Sequence, residues 1–134
     1  MSVHVRLRVA GEAYALAVEN VLEVSELGDL SPVPGAHGSV LGVRNLRGEV
    51  LPVFDLAAIF GITREAPAQR LLVAEHDGKR AGFAIDEVTD VGELEDPAEE
   101  TESAFLRGAT LDDGVLVGVV DVARVFGALE QGDT

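Results

Sequence analysis

Gly48-Glu-Val-Leu-Pro-Val-Phe-Asp-Leu-Ala-Ala-Ile-Phe-Gly61 returns 66 residues later as Gly114-Val-Leu-Val-Gly-Val-Val-Asp-Val-Ala-Arg-Val-Phe-Gly127. Gly48, Val53, Asp55, Ala57, Phe60 and Gly61 each meet an identical residue, with no gap. Upstream, Gly11 to Val24 lies over Gly78 to Val91 at a shift of 67. There Gly11, Ala17, Val21 and Val24 find identical partners, and Glu19/Asp86 and Glu23/Asp90 keep their charge. Two stretches at nearly one offset mark a duplicated unit. The repeats span 3–61 and 70–127, within a single domain covering 1–134.

Each copy reads as β-structure. Val3, Val5, Leu7 and Val9 alternate with His4, Arg6 and Arg8, the period of a strand with one covered face. Ala10-Gly11-Glu12 turns the chain, and Tyr14, Leu16 and Val18 continue it. Val21 to Leu27, Ser39 to Asn45 and Glu49 to Phe54 complete five strands, with a Gly/Pro corner from Gly28 to Gly38. Asp55 then caps a short helix over Leu56 to Phe60, which Gly61 ends. In the second copy, Arg70 to Glu75, Ala81 to Ile85, Val88 to Leu94 and Gly114 to Val120 read as strands. Asp96 to Glu102 reads as an acidic loop, and Asp121 caps a helix over Val122 to Phe126, closed by Gly127. Short strands with a Gly-rich corner close into small barrels. The expected fold is therefore all-β: two five-stranded barrels about a pseudo-twofold axis, with short helices after Asp55 and Asp121. Whether each barrel uses its own strands or borrows from the other stays open.

Composition narrows the function. Ten Lys+Arg against twenty-four Asp+Glu give a net charge of −14. Nucleic acid and anionic membrane surfaces need clustered cations, and this chain has one lysine, Lys79. Zero cysteines exclude disulfides, thiolate metal sites and a cysteine nucleophile. No apolar run approaches the ~20 residues of a membrane span. The alternating N-terminus is not a signal peptide, and the chain is expected to be soluble and cytoplasmic.

Candidate sites divide unevenly. Asp55 and Asp121 are repeat-related carboxylates that invite comparison with a hydrolytic aspartyl dyad. Each precedes a short amphipathic helix, so helix capping is the better reading. His4 and His76 are expected on exposed strand faces and His37 in a loop, at spacings that suggest no metal site. Gly28, Gly35, Gly38 and Gly42 lack the context of a phosphate loop. The acidic run from Asp86 to Glu102 has no Lys or Arg between Ala81 and Leu106, and reads as a solvated face or a steering surface for a basic partner. Neither metal nor cofactor is expected.

One turn stands apart. Copy two has Leu111-Asp112-Asp113-Gly114 at its hairpin tip, ordinary turn chemistry. Copy one has Asn45-Leu46-Arg47-Gly48, with an apolar residue and a forked cation where a turn needs neither. An exposed Leu beside an Arg suits an interface anchor. An Arg tying the barrels together is the rival reading.

Asn45-Leu46-Arg47-Gly48-Glu49-Val50-Leu51-Pro52-Val53-Phe54-Asp55-Leu56, preceded by Leu41-Gly42-Val43, resembles the signature of the CheW-like domain family. Gly11 to Val24 resembles the family's opening, and the likeness runs from about Val3 to Phe126. The resemblance implies two SH3-like barrels and no active site. It implies an adaptor joining the cytoplasmic tips of chemoreceptors to the CheW-like regulatory domain of a CheA-type histidine kinase. Val21 and Val24 would form an apolar wall in a groove between barrels, with Leu46 and Arg47 adding contacts to the receptor's helical hairpin. Glu23 would bond Arg47, supported by Asn45 and Gly48. Against the family pattern, the stretch from Glu95 to Leu106 reads as a shorter loop, and neither the family's polar N-terminal tail nor its longer C-terminal helix is expected here. A related scaffold serving motility or gene regulation is the alternative.

Overall fold

The computed structural model describes residues 1–36, 38–98 and 100–130. His37 and Glu99 therefore lie outside the described residues. The first copy supplies β1 (Ser2–Val9), β2 (Glu12–Ala17), β3 (Val21–Glu26), β4 (Val40–Leu46), β5 (Glu49–Asp55) and α1 (Leu56–Phe60). The second supplies β6 (Arg70–His76), β7 (Lys79–Ile85), β8 (Glu87–Leu94), β9 (Leu106–Asp112), β10 (Val115–Val120) and α2 (Val122–Glu130).

The strands form two five-stranded sheets. Their orders are β8-β1-β2-β10-β9 and β3-β6-β7-β5-β4, called A and B below. Replacing each strand of sheet A by its counterpart in the other copy gives the order of sheet B. Each sheet mixes strands of both copies, so the halves exchange strands. Two parallel junctions stitch the exchange: β2 to β10 at Tyr14 and Gly118, and β5 to β7 at Val53 and Gly82. The sheets curl into SH3-like subdomains, but their edge strands do not pair to close a barrel.

Duplication extends to irregularities. Leu22 and its counterpart Thr89 are skipped in the registers of β3 with β6 and β8 with β1. Leu41 and Arg107 are skipped alike in β4 and β9. Beside Leu41, Gly42 has φ 153°, and a Cβ there would stand 2.5 Å from the Ser31 carbonyl oxygen. No larger residue fits that approach.

Three apolar clusters hold the fold. The largest draws Leu7, Val9, Leu16, Phe54, Leu56, Leu72, Phe83, Val120 and Phe126 from both sheets and both helices. Each sheet also wraps its own interior: Ala15, Leu94, Val117 and Val119 in A, and Leu51, Val53, Leu71 and Val73 in B. Central strands are thus covered on both faces. This corrects the expectation for His4, which is 4% exposed because its strand face turns into sheet A. His76 is also not freely exposed; it is half-buried with its ring 6.0 Å from that of Phe126.

Two element expectations need correction. Residues 106–112 form β9, which hydropathy did not reveal. Small residues do its buried work: Gly108, Ala109 and Thr110. Helix α2 runs through Gly127 to Glu130, whereas Gly61 ends α1 in the left-handed region at φ 74°. Gly127 does not take a positive φ, so it does not stop its helix.

A polar pin joins the subdomains. Asp86 accepts from the backbone N–H of Ala10 (3.0 Å) and Gly11 (2.9 Å) in sheet A's first turn. Arg64 reaches Asp86 (2.6 Å), Asp55 (3.0 Å) and the Ala84 carbonyl (3.2 Å). Burial works to raise the Asp86 carboxyl, but the bonds from Gly11, Arg64 and Ala10 outweigh it and hold it below the usual carboxylate range.

Candidate functional site

The β4–β5 hairpin is a two-residue turn in which both central residues are left-handed, Arg47 at φ 50° and Gly48 at φ 85°. Such a turn matches the twist of its strands. The second hairpin makes the same turn with Asp113 and Gly114 at φ 50° and 80°. Aspartate tolerates that conformation; arginine takes it at a cost of about 1 kcal/mol. The Asn45 side chain accepts from the Gly48 N–H at 3.0 Å and steadies the turn. Strained backbone thus carries a side chain that the turn itself does not need.

The Arg47 guanidinium bonds the Glu23 carboxylate on β3. Arg47 remains 71% exposed and Glu23 26%. This is the link expected between the third strand and the hairpin tip. Three residues before Arg47, on β4, Arg44 donates to the carbonyls of Glu26 (2.5 Å) and Leu27 (2.6 Å). Arg44 on β4 and Arg47 in the turn that follows it therefore both reach β3 and draw together the edges of sheet B, which no backbone ladder joins among the described residues. Beneath Arg47 and Glu23 lies a furrow of about 360 Å³. Leu46, Leu51 and Val73 provide its apolar floor; Leu22, Glu23, Arg47, Glu49 and Arg80 form its rim. Arg80 is itself bonded to Glu75 (2.9 Å) and Glu49 (3.3 Å).

The predicted residues fall into two groups. Glu23, Asn45, Leu46, Arg47 and Gly48 gather at this furrow or its turn. Leu46 is half-buried against the sheet B interior rather than exposed. Val21 and Val24 also lie on β3 but pair with Ala74 and Leu72, whose face looks toward the central core. Val21 is half-buried and Val24 is 39% exposed. Edge strand β3 thus presents Glu23 on one face and the two valines on the other. Sequence reasoning missed Leu22 and Arg80 on the rim. Leu22 was hidden by the register skip, and Arg80 by its place beside a turn.

Sheet A carries the counterpart furrow, about 200 Å³, and its interior differs. Arg6 stands where sheet B has Val73, and Asp112 where it has Leu46. The Arg6 guanidinium donates to Asp112 at 2.7 and 3.3 Å and to the Glu93 carbonyl at 2.6 Å, with Asp90 at 3.9 Å. Arg6 is only 16% exposed. Hydrogen bonding from Arg6, against a smaller effect of burial, holds the Asp112 carboxyl below the usual range.

Nothing in this arrangement resembles a reaction centre. Asp55 accepts from the Ala57 N–H at 3.1 Å and Asp121 from the Arg124 N–H at 3.1 Å. Both aspartates cap their helices. Among the described residues, no cluster of His, Asp and Glu could hold a metal ion, and no helix is long and apolar enough to cross a membrane.

Comparison with known proteins agrees with this architecture. The chain is 29% identical to the chemotaxis protein CheW of Rhizobium meliloti, over 95% of this chain and 88% of that one. It is 31% identical to the chemotaxis protein CheW of Thermotoga maritima, over 86% and 81% respectively. The crystal structure of the scaffolding protein TtCheW from Thermoanaerobacter tengcongensis superposes with a TM-score of 0.81 at 27% identity, covering 90% of this chain and 84% of that one. The CheW-like domain itself matches residues 4–130, taking in both strand-exchanged sheets and the Asn45–Gly48 hairpin, and the chain belongs to the CheW-like domain family.

Proposed function

We propose that this protein is a cytoplasmic adaptor coupling the signalling tips of chemoreceptors to a CheA-type histidine kinase through that kinase's CheW-like domain. The family is one of scaffolds in chemotaxis-type signalling, not of catalysts. One observation carries the finer reading: a left-handed Arg47, braced by Glu23, overhangs an apolar-floored furrow. An adaptor needs a contact that adds modest, orientation-dependent affinity, so that receptor state can bias it. Leu46 supplies apolar area and Arg47 fixes register. Val21 and Val24 contribute from the other side of β3, so the receptor's helical hairpin straddles that edge strand. The unit acts as one domain, with Glu23, Asn45 and Gly48 holding the turn.

Pull-down with a receptor signalling-tip fragment and with the kinase tests this directly. Native protein retains both. Arg47→Asp lowers receptor affinity at least tenfold, keeps the kinase and leaves the far-UV spectrum unchanged. Retention of neither partner, or full receptor affinity in Arg47→Asp, would overturn the proposal.

A further inference from the structure

The two furrows are copies of one cleft, yet they differ at the residues that decide what can enter. In sheet B the inward residue on β6 is Val73, at the furrow floor with Leu46, and the cation sits on the rim at the turn. In sheet A the cation has moved inside. Arg6 fills the position of Val73, and its guanidinium is held by Asp112 and the Glu93 carbonyl. The tip residue is then Asp113, an ordinary occupant of a left-handed turn.

We infer that Arg6 is a specificity-determining residue that plugs the sister furrow and leaves the chain with one furrow for a helical partner. The inference rests on the proposed adaptor reading for the nature of that partner. Its physical basis is independent. A helix pressed onto sheet A would have to bury Arg6 and Asp112 under apolar surface or pull them apart. Either costs more than the contact returns. The floor of the sheet B furrow makes no such demand, since Leu46, Leu51 and Val73 have no polar groups to desolvate, and its ion pairs, Arg47–Glu23 and Arg80–Glu49, stand at the wet rim. Duplication supplied two equivalent clefts, and one internal ion pair makes the protein monovalent.

The native chain has no cysteine, so single-cysteine reporters are clean. Leu22→Cys and Thr89→Cys sit at equivalent exposed rim positions. The receptor signalling-tip fragment should slow thiol labelling at position 22 at least fivefold and leave position 89 unchanged. Protection at 89 overturns the inference. Arg6→Val/Asp112→Leu should then bind the apolar dye bis-ANS at least twofold more than the native chain. The same change combined with Asp113→Arg should raise the fragments bound per chain from one to two in native mass spectrometry. A folded variant that binds no extra dye overturns the plug, and one that gains dye yet still binds one fragment overturns its role in valency. If the fragment protects neither site while the dye signal rises, the adaptor reading fails and the plug stands. If the combined variant does not fold, the two cysteine reporters decide the matter alone.

Discussion

Sheet B and sheet A share strand order, bulges and turn geometry, and diverge where a partner would touch them. In B, Leu46 and Val73 floor an open furrow and Arg47 stands on its rim. In A, Arg6 and Asp112 fill part of the same space with an ion pair, leaving a smaller furrow with a polar floor, and the tip is Asp113. The backbone tolerates either solution, so stability does not dictate the difference. The comparison teaches that a duplicated fold can keep its frame in both copies and specialise one cleft, by moving a single cation from the tip to the interior.

Val73→Arg puts sheet A's plug into sheet B and should have the largest effect. No aspartate stands at position 46 to receive the guanidinium, and Val73 is 2% exposed. Its cross-strand neighbour Glu23 is already bonded to Arg47, and a buried cation without a carboxylate of its own should cost about 3–5 kcal/mol, read as a lower midpoint in urea. Adding Leu46→Asp should recover part of that loss. No recovery would break the equivalence of the two furrows.

Arg6→Ala should cost about 2 kcal/mol, because the Asp112 carboxylate loses the donors that hold it. The pH dependence sharpens this. Asp112 and Asp86 both titrate below the usual carboxylate range when folded. Their contribution to stability is present at neutral pH and is lost as pH falls through their lowered folded values. Urea midpoints measured from neutral to acid pH should therefore decline for the native chain. Asp112→Asn should make that decline shallower, and an unchanged slope would detach the ion pair from acid stability.

The helix caps should give the smallest difference. Asp121→Ala should cost about 1 kcal/mol, the worth of one cap. Asp55→Ala should cost more, because Asp55 also receives Arg64 in the pin between subdomains. Equal losses in thermal unfolding would mean that the pin adds nothing.

The frame was legible in the sequence because strands alternate, each hairpin turn carries a Gly (Gly11, Gly48, Gly78 and Gly114), and the copies repeat these signals. Even β9 was within reach: shifting Val40 to Leu46 by 66 gives Leu106 to Asp112, the observed strand. Its Gly108, Ala109 and Thr110 carry too little hydrophobicity for the alternation to show it alone. Strand exchange was not legible, since a period of two fixes which face is covered but not which strand lies alongside. His4 was misplaced for a related reason: polar alternation implies a wet face only when nothing covers it, and sheet A folds over it. At the site, the odd Leu46-Arg47 tip and its Glu23 partner were readable. The Arg6 plug was not, because an arginine in alternating strand looks like any solvent-facing residue until its partners from β8 and β9 are placed around it.

The most direct test of the account is a map of backbone amide shifts as a receptor signalling-tip hairpin is titrated into labelled protein. Changes should concentrate on β3, the 45–48 turn and Val73, with Arg6, Asp112 and Val117 unmoved. Changes concentrated on the sheet A furrow, or equal in both, would contradict it.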